Sequence, residues 1–171
     1  EIIQSFKLPK TSRIIDVGGG DSKLVDCLLD DGYEDITVLD ISEKALLRSQ
    51  KRLGYNGSKV NWVVSDITTY KPDRAFDVWH DRAAFHFLTE AEQISQYLAL
   101  ANNCVKGYLS VGTFSKQGPI KCSGLNILQY SEEELLSLFS SGFHLIDSKT
   151  EDHITPFDTL QNFLFCSFMK K

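Results

Sequence analysis

The chain has 171 residues, of which 42% are hydrophobic and 24% charged, with a formal net charge of -5. That length and apolar share fit one domain around one core. The acidic balance, with a pI near 5.3, argues against the basic face that a nucleic-acid groove needs, and no apolar run approaches the ~20 residues of a membrane-spanning helix.

Residues 1–7 read as the end of a helix that Pro9 breaks. Residues 12–17 form the first strand, and residues 22–31 a helix with Gly32 as its C-terminal cap. Residues 35–40 are the second strand. Ser42 caps a helix from Glu43 to Leu53, which Gly54 ends. The third strand spans 59–64, and the fourth is Phe76-Asp77-Val78-Trp79. Thr89-Glu90-Ala91-Glu92 has the form of a capping box, and its helix runs to about Cys104. Residues 107–114 are the fifth strand, and a long polar loop follows over 115–129. Ser131-Glu132-Glu133-Glu134 is a second capping box for a helix through Phe139. Phe143 to Ser148 and Gln161 to Met169 are the last strands, separated by His153-Ile154-Thr155-Pro156. Phe163, Phe165 and Phe168 read as packing residues of the last one.

Strands alternate with helices over residues 12–140, which predicts a parallel sheet with helices on both faces and a ligand crevice at the strands' carboxyl ends. Two closing strands with no helix between them add an antiparallel edge. The fold class is therefore α/β: a Rossmann-like, seven-stranded, mostly parallel sheet with an antiparallel C-terminal strand.

The polar residues fall at those carboxyl ends. Asp16-Val17-Gly18-Gly19-Gly20 ends the first strand, and its glycines allow a tight turn that a nucleotide-like ligand can approach closely. Asp40 ends the second strand, placed to take two ribose hydroxyls. Asp66 follows the third, and His80-Asp81-Arg82 the fourth, with His86 between Phe85 and Phe87. A histidine near neutral pKa can take an acceptor's proton, so His86 and Asp81 are the candidate catalytic pair.

Each has a plainer reading. Asp16 can be a carboxylate bonded to loop N–H groups, Asp40 a helix N-terminal carboxylate and Asp66 a turn cap for Thr68 or Thr69. Asp81-Arg82 can be an internal ion pair, and His86 a core histidine. Cys27, Cys104, Cys122 and Cys166 are scattered and the histidines have no ligand spacing. No metal site is expected, and a reducing, cytoplasmic setting is.

Over residues 12–169 the sequence resembles the class I S-adenosylmethionine-dependent methyltransferases. The run from Phe76 to Leu88, with Trp79-His80-Asp81-Arg82-Ala83-Ala84-Phe85-His86-Phe87-Leu88 at its heart, resembles a bacterial-type subgroup, as does Gly118-Pro119-Ile120-Lys121-Cys122-Ser123-Gly124-Leu125. The resemblance implies S-adenosyl-L-methionine as cofactor. Asp16 with Gly18, Gly19 and Gly20 would serve its methionine end, Asp40 and Ile41 its ribose, and Asp66 and Ile67 its adenine. His80 and Asp81 would line the pocket. Lys121, Cys122, Ser123 and His153 fall on the acceptor side. Two departures are Ser22 in place of the third glycine, and Lys106-Gly107 where the family has a Pro-Gly-Gly turn.

Residues 1–171 are read as one such domain. The chain opens on Glu1 inside a helix, and the aromatic-rich N-terminal cap segment of the subgroup is expected to be lacking. The expected partner is a small-molecule or protein side-chain methyl acceptor. The absence of an Asn-Pro-Pro-Tyr tetrad after the fourth strand argues against DNA adenine or glutamine methylation. Two other readings stay open: a non-catalytic module on the same fold, and an NAD-dependent oxidoreductase, which shares the glycine turn and the ribose acid.

Overall fold

The computed structural model describes residues 2–154, 158 and 160–171. One seven-stranded sheet has the order β3-β2-β1-β4-β5-β9-β8. Its parallel part comprises β1 (Arg13–Val17), β2 (Asp35–Asp40), β3 (Val60–Val64), β4 (Phe76–Arg82) and β5 (Val105–Phe114). The chain first winds outward through β2 and β3, then returns to place β4 and β5 on the other side of β1. That reversal makes β1 and β4 neighbours at the topological switch point, where a crevice opens in such sheets.

The two sheet faces bury different side chains, as the period of two requires. Ile14, Val78, Ile36 and Val38 pack with α1 (Ile2–Ser5), α2 (Leu24–Asp30) and α3 (Glu43–Leu53). Ile15, Val17, Trp79, Leu109 and Val111 pack with α4 (Ala91–Cys104) and α5 (Glu132–Phe139). The caps act as the sequence predicts at α3, where the Ser42 side chain accepts from the Ala45 N–H at 3.3 Å, and at α5, where Ser131 and Glu134 exchange hydrogen bonds. At α4 the N-cap is one residue later than predicted. Glu90 caps, because Gln93 answers its N–H at 3.2 Å.

Three differences matter for the site. First, β4 continues through His80, Asp81 and Arg82, so these residues lie within a strand and alternate between faces. Second, the pairing of β4 with β5 shifts register between Phe76 and Val78, opposite Val105 to Tyr108. The Lys106-Gly107 departure falls at this irregularity, and a Cβ on Gly107 would lie 2.5 Å from the Asp77 carbonyl oxygen. Third, within the antiparallel edge that the two closing strands form, the later one, β9 (Leu160–Lys170), is the inner strand, between β5 and β8 (Phe143–Ile154). His153 and Ile154 belong to β8, while Thr155 and Pro156 lie outside the described residues. The 115–129 loop contains a small hairpin, β6 (Lys121–Cys122) with β7 (Leu125–Asn126).

Candidate functional site

Asp16 of β1 and His80 of β4 are register partners on adjacent strands. Both are buried, and the His80 Nδ1–H donates to Asp16 Oδ1 at 2.9 Å. The other carboxylate oxygen, Oδ2, is buried with no hydrogen-bond partner among the described residues. A buried carboxylate oxygen without a donor is costly, so Asp16 is built to receive one. It lines a cleft of about 450 Å³, with Gly18, Gly19, Asp21, Ser22 and Lys23 on one wall and Arg82, Ala83 and Phe163 on the other. His80 also lines a second groove between α1, α2 and the β8–β9 pair.

The glycine turn is packed against both acids. Gly18 has φ 72°, and a Cβ there would lie 2.8 Å from the Ala84 Cβ. A Cβ on Gly19 would run into the Asp16 carboxylate, and one on Gly20 would lie 2.7 Å from Asp40 Oδ2. Asp40 Oδ2 accepts the Gly20 N–H at 2.9 Å, and Oδ1 accepts the Ser42 N–H at 2.7 Å. Each oxygen keeps a further lone pair for a ligand hydroxyl. The Asp40 carbonyl accepts the Ser65 N–H at 3.1 Å, which brings Asp66 beside the end of β2. Asp66 Oδ1 accepts from the Thr68 N–H and hydroxyl, both at 2.8 Å, the turn cap its plainer reading anticipated. Ile67 is buried below, and Ile41 stands 72% exposed on the rim.

Neither candidate catalytic group, Asp81 or His86, is among the residues that line this cleft. The pleat sends Asp81 to the face opposite Asp16 and His80. There it accepts from the Tyr97 hydroxyl at 2.8 Å and from the Ala84 and Phe85 N–H groups at 2.9 and 3.2 Å. Asp81 is thus a buried cap of the turn after β4. Burial pushes its carboxyl up to about 6, against the lowering effect of those three donors and of the His80 charge. It forms no ion pair with Arg82.

His86 is fully buried, with its ring against Phe87 and Phe114 at centroid distances of 4.7 and 4.8 Å. Neither ring nitrogen has a partner among the described residues, and burial pulls its pKa down to about 4. It is a neutral core histidine and touches no cleft residue's polar group.

Among the acceptor-side candidates, Cys122 packs on a small cluster of Phe114, Ile127 and Phe163. The His153 ring stands 6.4 Å from that of Phe163. The sequence reading missed Phe163 as a cleft residue. Its register partner is Phe114 at the end of β5, a pairing that strand alternation alone does not give.

A switch-point crevice with a glycine turn, a ribose-placed acid and a buried carboxylate awaiting a donor defines a class I methyltransferase domain. A family model described as a methyltransferase domain matches residues 14–107, and the chain belongs to that family, whose cofactor is S-adenosylmethionine. The chain is similar to the eEF1A lysine and N-terminal methyltransferase of Mus musculus, 30% identical over 97 residues, which is 56% of this chain and 14% of that protein. The protein of the same description from Bos taurus is 31% identical over 94 residues, 54% of this chain and 13% of that one. The chain thus spans about a seventh of these curated relatives' length.

Among solved structures, an S-adenosylmethionine-dependent methyltransferase from Methanosarcina mazei superimposes with a TM-score of 0.79 at 17% identity, covering 99% of this chain and 96% of that one. The N-methyltransferase NodS from Bradyrhizobium japonicum WM9, in complex with S-adenosyl-L-homocysteine, gives 0.73 at 14% identity over 93% and 78%. At those identities the likeness is one of fold.

Proposed function

We propose that this domain transfers the methyl group of S-adenosylmethionine to an acceptor that enters between the glycine turn and the Arg82–Phe163 wall. The observation that carries this reading is Asp16: one oxygen held by His80, the other buried at the cleft with no donor. The cofactor's ammonium is the donor this oxygen fits. Asp40 takes the ribose hydroxyls on its remaining lone pairs, while Gly18, Gly19 and Gly20 let the turn lie close to both acids. The exposed face of Ile41, with Asp66 and Ile67 beside it, offers an apolar ledge for the adenine. His80 acts through Asp16, fixing its rotamer.

When bound, the cofactor supplies a methyl on a positive sulfur, already activated for in-line displacement. The chain's part is alignment and exclusion of water. Asp81 and His86 contribute by holding the turn that carries Ala83 and Ala84 against Gly18. The run Trp79 to Leu88 supports placement in the bacterial-type subgroup. Four cysteines without a disulfide support a reducing, cytoplasmic setting. Residues 1–171 are read as one domain, since a single sheet joins β1 to β9. A protein amine as acceptor is the second reading, and its support is the name of the curated relatives.

Calorimetry with S-adenosylhomocysteine and, in parallel, NAD tests the cofactor. Micromolar binding of the first alone is expected, with loss in Asp16→Ala. Binding of NAD instead would establish the oxidoreductase reading. A labelled-methyl screen against metabolites and protein extract then separates an enzyme from a module that only binds.

A further inference from the structure

We infer that Arg82 is a specificity-determining residue that holds a carboxylate on the methyl acceptor. The inference rests on the cofactor reading above and names the acceptor's chemical class: a small anionic molecule with an apolar body.

The charges lining the cleft are unevenly committed. Of its two carboxylates, Asp21 pairs bidentately with Arg48, which also lowers the Asp21 pKa, while Asp16 accepts from His80 on one oxygen and keeps the other for the cofactor's ammonium. Its two cations, Lys23 and Arg82, pair with no carboxylate among the described residues. In a chain of net charge -5, the charge left uncommitted at this cleft once Asp16 holds the cofactor's ammonium is positive. An anion is the ligand that completes it.

The two cations stand on different elements. Lys23 follows the glycine turn, the wall along which the ribose acid Asp40 sets the cofactor. Arg82 ends β4, its backbone paired with Gly112 of β5, on the wall that carries Phe163. A group held by Arg82 is therefore held by a different part of the chain from the turn that sets the cofactor.

The guanidinium is also positioned in advance. Its carbon lies 5.5 Å from the Phe163 ring centroid. That ring is in turn packed by Phe114 at 4.7 Å and Phe165 at 5.9 Å. A guanidinium stacked on an aromatic face keeps its N–H edge free for the planar, bidentate pairing that a carboxylate offers. The same ring gives an acceptor's apolar body a surface. A cationic acceptor would instead meet like charge at Arg82, a repulsion that discriminates against it.

The test uses benzoate and its neutral isostere benzamide, titrated by NMR into the protein with and without saturating S-adenosylhomocysteine. Wild type, Arg82→Gln and Arg82→Lys are compared. Wild type is expected to bind benzoate at least tenfold more tightly than benzamide. Arg82→Gln should lose that preference and Arg82→Lys should retain part of it, with S-adenosylhomocysteine affinity within twofold of wild type in both.

Equal binding of the two probes by wild type would overturn the inference, as would unchanged discrimination in Arg82→Gln. A tenfold loss of S-adenosylhomocysteine affinity in Arg82→Gln, with benzoate discrimination intact, would assign Arg82 to the cofactor's own carboxylate and overturn it too. Failure of wild type to bind S-adenosylhomocysteine would remove the cofactor reading, while the benzoate titration on the protein alone would still decide the role of Arg82.

Discussion

Asp40 does two things with one carboxylate. It pins the turn through the Gly20 N–H and the start of α3 through the Ser42 N–H, and in the proposed complex it also takes the ribose. Asp40→Ala should weaken S-adenosylhomocysteine binding by about 1–3 kcal/mol, from lost charge-assisted hydrogen bonds. Calorimetry checks the affinity, and an unchanged value would remove Asp40 from the ribose. The positions of Asp16 and Asp40 at the strand ends beside the turn were legible because strand, glycine turn and strand-end acid are all local in sequence. The tie between Asp16 and His80 was not, since it depends on β1 and β4 being register partners 64 residues apart. The burial of His86 and Asp81 was hidden for a related reason. They are close to the site along the chain, but an extra length of strand and a 3₁₀ turn at Phe85–Phe87 carry them into the core.

Among elements, the caps and turns carried most of the readable signal. Ser42, Ser131 and Gly54 each act where a side chain or a missing one satisfies a helix end locally. Ser131→Ala should cost about 1 kcal/mol, read as a lower urea midpoint with cofactor affinity unchanged. The glycine turn behaves differently. A valine at position 18 first reads as a block to the cofactor in a domain that still folds. With φ at 72° and Ala84 already in the way, Gly18→Val instead strains the backbone and forces β1 away from the turn after β4. It should lose about 1–3 kcal/mol of stability or more, along with binding. A Gly18→Val domain with wild-type unfolding and no binding would show that the turn can give way. The position of β9 inside the sheet was not legible, because two successive strands can close a sheet in either order, and only packing against β5 decides it.

Across the whole molecule, Asp81 and His86 give stability a pH dependence that neither shows alone. They flank the same turn after β4 and are perturbed in opposite senses by burial. His86 titrates near 6.5 when unfolded and at about 4 in the fold. Between those values the unfolded chain binds the extra proton, so stability falls as pH drops, by up to about 3 kcal/mol. Asp81 titrates at 3.8 unfolded and about 6 folded. Over that window the folded chain binds the extra proton, so stability rises as pH drops, again by up to about 3 kcal/mol. Between pH 4 and 6 the two slopes oppose, and wild type should be nearly flat with respect to this pair. Replacing one member exposes the other. His86→Phe keeps an aromatic ring among Phe87 and Phe114 and sacrifices no hydrogen bond, since neither ring nitrogen makes one. Relative to wild type it should gain stability steadily as pH falls from 6.5 to 4. Asp81→Asn keeps an acceptor for the Ala84 and Phe85 N–H groups and should lose stability relative to wild type as pH falls through 6. Urea unfolding of the three proteins at intervals between pH 4 and 8 measures both differences. Two variants with the same pH slope as wild type would mean that the core after β4 admits water and holds neither group in the state its burial demands.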